Sequence, residues 1–260
     1  MKKNDGIPSL TLSHLFASIY NQILQTGKVS RGWVGVSMNP FPFTPAMADF
    51  FKVKQGSGVL IMELIDEDGE PSEAGPAATA GVLPEDVVVE FDGKKVMSNQ
   101  DFRIAVAETP PGQKATIKVV RQGLEKDLQI VLAERQFEDQ EEEQYSFDET
   151  EELPKAEIGL TFDDVPPRMA QALEITGGAH VTAVTVGSLA EEAGLRGSEQ
   201  GAGDIIIAAN GKTVNSKDDL FNIVKALKSG ESVVLKFIHT IPDQNNQLLT
   251  QTYFTSIVKP

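Results

Sequence analysis

The chain has 260 residues, of which 40% are hydrophobic and 23% are charged, and its formal net charge is −15. One ordinary domain needs about 100–150 residues, so two domains are predicted. The acidic balance argues against a nucleic-acid partner, because phosphate binding draws on clustered lysine and arginine. The absence of cysteine excludes disulfides and thiolate metal sites. No stretch approaches the ~18 apolar residues of a membrane helix, so no membrane span is predicted.

The segment from Leu10 to Thr26 is predicted to form one amphipathic helix. Its apolar residues recur at spacings of three and four, which places them on one stripe, and Gly27 follows where helices commonly end. Such a stripe needs a surface to cover. That surface is the following domain, a partner, or a domain outside this chain. The residues before the helix do not form a signal peptide, because polar residues, glycine and proline occupy the place of its apolar region.

The next hundred residues are predicted to form short strands and one helix. Asp92-Gly93 is typical of a tight turn between strands. Ser98 is predicted to cap the helix, and Pro110-Pro111-Gly112 ends it. The predicted strands are Trp33–Val36, Gly58–Met62, Asp86–Phe91, Ala115–Arg121 and Lys126–Leu132.

The same order of elements returns from Ile158 onward. Asn210-Gly211 predicts the tight turn, and Ser216 the cap of a helix that Gly230 ends. The predicted strands are Ile158–Thr161, His180–Val186, Gly203–Ile207, Ser232–His239 and Leu249–Val258. Between the two halves lies an acidic run that repels itself and predicts an extended linker. A calcium site is the alternative, but the run lacks the ligand spacing and the loop glycine of an EF-hand. The predicted divisions are 1–30, 31–134, 135–154 and 155–260.

The two halves share one sequence pattern. In residues 75–96 a small-residue turn of helix leads to Ala-Gly-Val, an aspartate then opens a strand, and Asp-Gly-Lys follows. In residues 187–214 such a turn of helix leads to Ala-Gly-Leu, and Gly-Asp-Ile-Ile-Ile and Asn-Gly-Lys follow. The period is far longer than the ~20–50 residues of a solenoid repeat, so it indicates a duplicated domain.

This repeated pattern resembles the PDZ domain. Residues 28–36, Lys-Val-Ser-Arg-Gly-Trp-Val-Gly-Val, further resemble the junction between the protease domain and the first PDZ domain of HtrA (DegP/DegQ-like) serine proteases. The helix before them resembles the last helix of that protease domain. The resemblance implies an α+β fold of tandem PDZ domains, each a small, partly open β-barrel or sandwich with two helices, preceded by one amphipathic helix.

The resemblance also implies two peptide-binding grooves. A PDZ domain adds a peptide as an extra strand and holds its C-terminal carboxylate with the backbone N–H groups of a glycine-containing loop. The residues implied for the first groove are Arg31, Trp33, Val34, Gly35, Val36, Asn99, Arg103 and Val106. Those implied for the second are Lys155, Ile158, Gly159, Leu160, Thr161, Lys217, Phe221 and Val224. The alternative for the second groove is that Phe221 and Val224 fill the core of their own domain and close it.

Three departures from the family pattern lie in loops. Glu85-Asp86 stands where the family has Gly-Asp, residues 66–74 form an extra loop, and residues 196–202 are inserted before Gly203. Loops tolerate such changes, so the fold is expected to persist.

No residues for catalysis are predicted in this chain. A serine protease needs a serine in a glycine-rich turn together with a histidine and an aspartate, and Gly-Asn-Ser-Gly-Gly does not occur. The three histidines, His14, His180 and His239, match no triad or zinc spacing. Neither a metal nor a cofactor is predicted.

Two readings of the function follow from the resemblance. In the first, the chain is the substrate-recognition and regulatory region of an HtrA-like serine endopeptidase in protein quality control. Its partners would be peptide C-termini or unfolded segments and an upstream protease domain, in a periplasmic or otherwise extracytoplasmic compartment. In the alternative, the chain is a stand-alone, non-catalytic PDZ adaptor or scaffold.

Overall fold

A computed structural model describes residues 31–54, 56–134, 158–198, 201–242 and 248–260. The predicted helix Leu10–Thr26, the acidic linker 135–154, His14 and Lys155 lie outside the described residues. None of the helices in the described ranges is long and apolar enough to cross a membrane. The domain divisions given above stay a prediction.

The first half is an open antiparallel sheet with helices packed against it. Its strands are β1 Gly32–Trp33, β2 Val36–Met38, β3 Val59–Leu64, β4 Val87–Phe91, β5 Lys94–Lys95, β6 Lys114–Arg121, β7 Leu124–Val131 and β8 Ala133–Glu134. Its helices are α1 Pro45–Phe51, α2 Pro76–Ala80 and α3 Asn99–Glu108. The sheet order is β2-β3-β4-β6-β7, with β5 on β4, and β1 pairs separately with β8.

The predicted single strand Trp33–Val36 is wrong, because the chain breaks there into β1 and β2. Gly35 lies between the two strands with a φ of +76°, a left-handed conformation outside the β region of a regular strand. The glycine therefore ends the β1–β8 pairing and turns the chain into the main sheet.

Local sequence accounts for the remaining elements of this half. Asp92 and Gly93 both have positive φ, at 46° and 80°, as a two-residue hairpin turn of the primed type requires. The hydroxyl of Ser98 accepts a hydrogen bond from the backbone N–H of Asp101 at 3.2 Å and so caps α3. Phe102 of α3 is buried against Phe91 of β4, which anchors the helix on the core.

The second half repeats this architecture. Its strands are β9 Leu160–Asp164, β10 Ala179–Val184, β11 Ile205–Ala209, β12 Lys212–Thr213, β13 Ser232–Pro242 and β14 Leu248–Val258. Its helices are α4 Pro167–Ala172, α5 Leu189–Glu192 and α6 Lys217–Ala226. The sheet order β9-β10-β11-β13-β14, with β12 on β11, matches that of the first half strand for strand. The α+β fold with open sheets is therefore confirmed, and the sequence repeat is a structural repeat.

Each half contains one helix that the sequence analysis did not predict. These are α1 and α4, so the described part of each half contains three helices rather than two. The start of α1 carries ordinary signals: the Thr44 hydroxyl accepts from the Met47 N–H at 3.3 Å, and Pro45 occupies the first helical position.

A buried aspartate holds the turn before the central strand of each half. The carboxylate of Asp86 lies 2.7 Å from both Nε and Nη2 of Arg121, and it accepts from the Leu83 N–H at 2.9 Å. The hydrogen bond with Asp86 raises the pKa of Arg121, so the guanidinium stays charged.

Asp204, the counterpart in the second half, accepts from the Arg196 N–H at 2.7 Å and lies 2.6 Å from Nδ1 of His239.

The two halves contact each other through α1 and the segment before it. Met47 and Ala48 of α1 are buried in an apolar cluster that contains Val120 of the first half and Val234 and Phe254 of the second. Phe41 reaches further, with its ring centroid 5.7 Å from that of Phe237 and 5.6 Å from that of Tyr253. The first half therefore packs on the β13–β14 hairpin of the second.

Candidate peptide-binding grooves

The first groove lies between β2 and α3. Strand β2 stands at one end of the sheet order, so in the described part of the chain its outer edge has no strand neighbour. The C-terminal turn of α3 lies against Gly32, where a Cβ would overlap the Thr109 carbonyl oxygen. At the other end of the helix, Nδ2 of Asn99 donates to the carbonyl oxygen of Asn39 at 2.8 Å. The two ends of the helix thus contact residues that flank β2 on either side.

The loop before β2 is fixed by hydrogen bonds to its carbonyl groups and by a glycine with positive φ. Two of its carbonyl groups accept hydrogen bonds from neighbouring segments. The Val34 oxygen accepts from the Ala77 N–H at 2.8 Å, and the Gly35 oxygen accepts from the Ile65 N–H at 3.1 Å. That the N–H groups of this loop hold a peptide carboxylate stays a prediction. A Cβ on Gly35 would lie 2.8 Å from the Ile65 oxygen, so the position requires glycine.

The predicted residues of the first groove separate into several environments. Val34 and Val106 are buried in the core and Val36 is half-buried against it, which supplies an apolar floor. Arg103 is exposed on α3, and Arg31 is exposed before β1.

Two of the predicted residues of the first groove have other contacts. Asn99 uses its amide to bond Asn39, and so it closes the far end of the groove. Trp33 lines a separate cavity of about 560 Å³ together with the acidic residues 66–68.

The second groove lies between β9 and α6 and has the same construction. The Ile158 oxygen accepts from the Ala190 N–H at 3.1 Å, and the Gly159 oxygen accepts from the Thr185 N–H at 2.8 Å. Gly159 has a φ of +68°, and a Cβ there would overlap Ser188. These bonds match those of Val34 and Gly35, although the two loops have different side chains.

The helix side of the second groove is more apolar than that of the first. Phe221 is 54% exposed, with Nζ of Lys225 lying 5.6 Å from its ring centroid, so Phe221 does not fill the core of its domain. Val224, Ile158 and Leu160 are half-buried against the core, and Thr161 is exposed.

An ion pair closes the far end of the second groove. Nζ of Lys217, the first residue of α6, lies 2.7 Å from Oδ1 of Asp163 in β9, and the Lys217 N–H donates to Asp164 at 2.9 Å. Lys217 and Asp163 occupy the places of Asn99 and Asn39. Sequence reasoning missed Asp163 and Asn39, because no local pattern connects a strand residue with a helix more than fifty positions away.

Lys217 is expected to control the titration of Asp163. The hydrogen bond from Lys217, and next that from the Asp164 N–H, lowers the pKa of Asp163 from its ordinary value of 3.8; the same pair raises the pKa of Lys217. Whatever the ion pair contributes to stability is therefore fully present above about pH 4 and is lost as the pH falls through the lowered pKa. An NMR titration of the Asp163 carboxyl carbon should give a higher midpoint in Lys217→Met than in the wild type.

The exposed Lys212 provides the control for this titration. Lys212→Met removes the same charge from the second half without touching Asp163, and it should leave the midpoint where it is. Equal midpoints in the wild type and Lys217→Met would show that the ion pair does not form in solution.

The one histidine–carboxylate contact of the described residues is structural. Nδ1 of His239 faces Asp204, and Nε2 lies 3.3 Å from Nη1 of Arg196. A guanidinium donor therefore occupies the position that a nucleophilic hydroxyl would need to hold in a triad. The other described histidine, His180, is buried and places Nε2 2.7 Å from the Ala202 oxygen.

Comparison with known families decides what these halves are. Two family models match, both described as PDZ domain, one over residues 45–132 and one over residues 180–238. The chain contains two PDZ domains. The glycine loops of both PDZ grooves lie outside the matched spans, so the peptide-contacting residues stay a prediction.

Proteins similar to this tandem PDZ region include DegP-like serine endoproteases and an HtrA-type protease of known structure. A probable periplasmic serine endoprotease of the DegP-like kind from Bartonella henselae is 29% identical over 251 residues, which cover 92% of this chain and 43% of the relative. Its counterpart from Pseudomonas fulva is 26% identical over 220 residues, covering 85% of this chain and 43% of the relative. Among solved structures, the HtrA-type protease AlgW with tripeptide is 29% identical with a TM-score of 0.40, covering 49% of this chain and 39% of that one. The chain thus spans less than half the length of these two curated relatives.

Proposed function

We propose that this tandem PDZ region captures C-terminal or extended peptide segments by strand addition and serves as the substrate-recognition and regulatory part of an HtrA-like serine endopeptidase. The PDZ assignment and the relatives support a peptide-binding regulatory region. The protease domain upstream, the extracytoplasmic location and the individual contact residues belong to the proposal.

One observation carries the proposal: the same three-part arrangement occurs in both domains. A left-handed glycine, Gly35 or Gly159, precedes an edge strand, and that strand lies beside a helix that begins at a serine cap. An open strand edge offers main-chain hydrogen bonds, the loop offers N–H groups for a carboxylate, and the helix offers side chains that select residues.

The two grooves are expected to select different peptides. At the same helical position the first has Arg103 and the second has Phe221, and both side chains are exposed. Arg103 favours an acidic or polar residue in the peptide, whereas Phe221 with Lys225 beside it favours an aromatic or aliphatic one.

The experiment that tests the proposal is a titration with paired peptides. Each peptide is prepared with a free C-terminal carboxylate and as the C-terminal amide, and binding is followed by fluorescence anisotropy. Amidation is expected to weaken binding by at least about tenfold, because a hydrogen bond to a charged group is worth ~1.5–3 kcal/mol. Equal affinities of the two forms of a peptide would contradict capture of the carboxylate. If none of the peptides bound, the proposed function would be wrong.

A further inference from the structure

Glu85 has an unfavourable backbone conformation and a partner in the other domain. Its φ is +68°, whereas the counterpart position in the second domain is held by Gly203 with a φ of +78°. Non-glycine residues are disfavoured in this region and persist where the surroundings compensate. The Glu85 carboxylate lies 2.6 Å from Nζ of Lys236, which in turn lies 5.4 Å from the ring centroid of Phe254. Glu85, where the second domain has a glycine, thus forms an ion pair with Lys236 across the contact between the domains.

Asn39 connects the same contact to the far end of the first groove. Its Nδ2 donates to the Phe254 oxygen at 3.1 Å, and its Oδ1 accepts from the Phe254 N–H at 3.2 Å, so one buried side chain satisfies both main-chain groups of a β14 residue. Its own carbonyl oxygen accepts from Asn99 of α3, and its own N–H donates to Leu60 of β3 at 2.9 Å. Asn39 therefore joins the sheet of the first domain, the groove helix and the second domain.

We propose that docking of the second domain and peptide binding in the first groove are thermodynamically coupled through Asn39; this rests on the proposed function of that groove. With the second domain docked, Phe254 fixes Asn39, and Asn39 fixes the start of α3 relative to β2. When the groove is already held in its binding conformation, less conformational entropy is lost as a peptide binds. Docking of the second domain therefore raises the peptide affinity. By linkage, a bound peptide strengthens docking by the same factor.

A charge exchange at the Glu85–Lys236 pair tests the coupling without changing a groove residue. Lys236→Glu places two carboxylates against each other and should lower the affinity of the first groove for a C-terminal peptide by about fivefold or more. Adding Glu85→Lys restores an ion pair of reversed polarity and should recover most of the affinity. The matched control is Lys118→Glu, which opposes Glu90 within the first domain, where the wild-type distance is 3.3 Å, and should leave the affinity unchanged.

Hydrogen exchange at the Phe254 amide reports docking independently of affinity. Exchange should be faster in Lys236→Glu, and a saturating peptide should slow it in the wild type. If Lys236→Glu accelerated this exchange while peptide affinity stayed within twofold, or if the peptide left the wild-type exchange unchanged, the coupling would be wrong although the groove still binds. Failure of the reversed pair to recover affinity would equally overturn it. If no C-terminal peptide bound in any variant, the proposed function itself would fall, and the inference with it.

Discussion

Replacing Gly35 by aspartate is expected to abolish peptide binding in the first groove. The residue has a φ of +76°, and a Cβ there would lie 2.8 Å from the Ile65 oxygen and 3.0 Å from Cη2 of Trp33. The loop must therefore move, and the new carboxylate also faces a carbonyl oxygen. We expect the variant to lose two hydrogen bonds that loop N–H groups donate to the peptide carboxylate. Each such charge-assisted bond is worth ~1.5–3 kcal/mol, so the affinity should fall by at least about hundredfold.

The control is a substitution at Gly93, which has nearly the same φ as Gly35 but an open environment. Gly93→Ala has a φ of +80° and no atom within 4 Å of the new Cβ, so it has only the conformational cost of a left-handed alanine, about 1–2 kcal/mol. Peptide affinity measured by calorimetry should stay unchanged in Gly93→Ala. An unchanged affinity in a folded Gly35→Asp variant would show that the carboxylate does not bind at this loop.

Truncating Arg121 to alanine is expected to destabilise the first domain by about 3–5 kcal/mol, because it leaves a buried carboxylate without its counter-ion. Asp86 is fully buried, and the guanidinium bonds both of its oxygens and the Gly81 carbonyl at 2.7 Å. A domain of this size is stable by only ~5–15 kcal/mol, so the loss is a large part of the total. In urea denaturation, the first domain of the variant should unfold at a lower midpoint urea concentration than that of the wild type.

Two further variants separate the buried ion pair from general effects of removing an arginine. Arg103→Ala takes away an exposed arginine of the same domain and should change stability by no more than about 0.5 kcal/mol. Adding Asp86→Asn to Arg121→Ala removes the buried charge and should recover part of the loss. If Arg121→Ala and Arg103→Ala denatured alike, the buried pair would not be a determinant of stability.

Much of the fold follows from local sequence. The positive-φ turns at Asp92-Gly93 and Asn210-Gly211, and the serine caps of α3 and α6, lie where the residues predict them, because each is decided within about four positions. The duplication was visible for the same reason, since both copies keep these short signals. The loop glycines were also identifiable, but the break of the strand at Gly35 was not, because a glycine in a short apolar run is compatible with a continuous strand.

The contact between the domains could not be predicted. The rings of Phe50 and Phe51 contact each other, but both also pack on Phe254, about two hundred positions away. The roles of Asn39 and Asp163 depend on distances between elements rather than on spacing along the chain. Glu85 was visible as a departure from glycine, but its partner Lys236 became identifiable only with the two domains placed together.

Removing the first domain would leave the main-chain groups that Asn39 bonds without a partner. Strand β14 is the last of its sheet, and the Phe254 N–H and carbonyl group face outward to Asn39. A second domain expressed alone would present these groups together with the apolar ring of Phe254, which is 4% exposed in the intact chain. An open strand edge of this kind is a template for another chain, and the excised domain should therefore self-associate into intermolecular sheets where the two-domain protein does not.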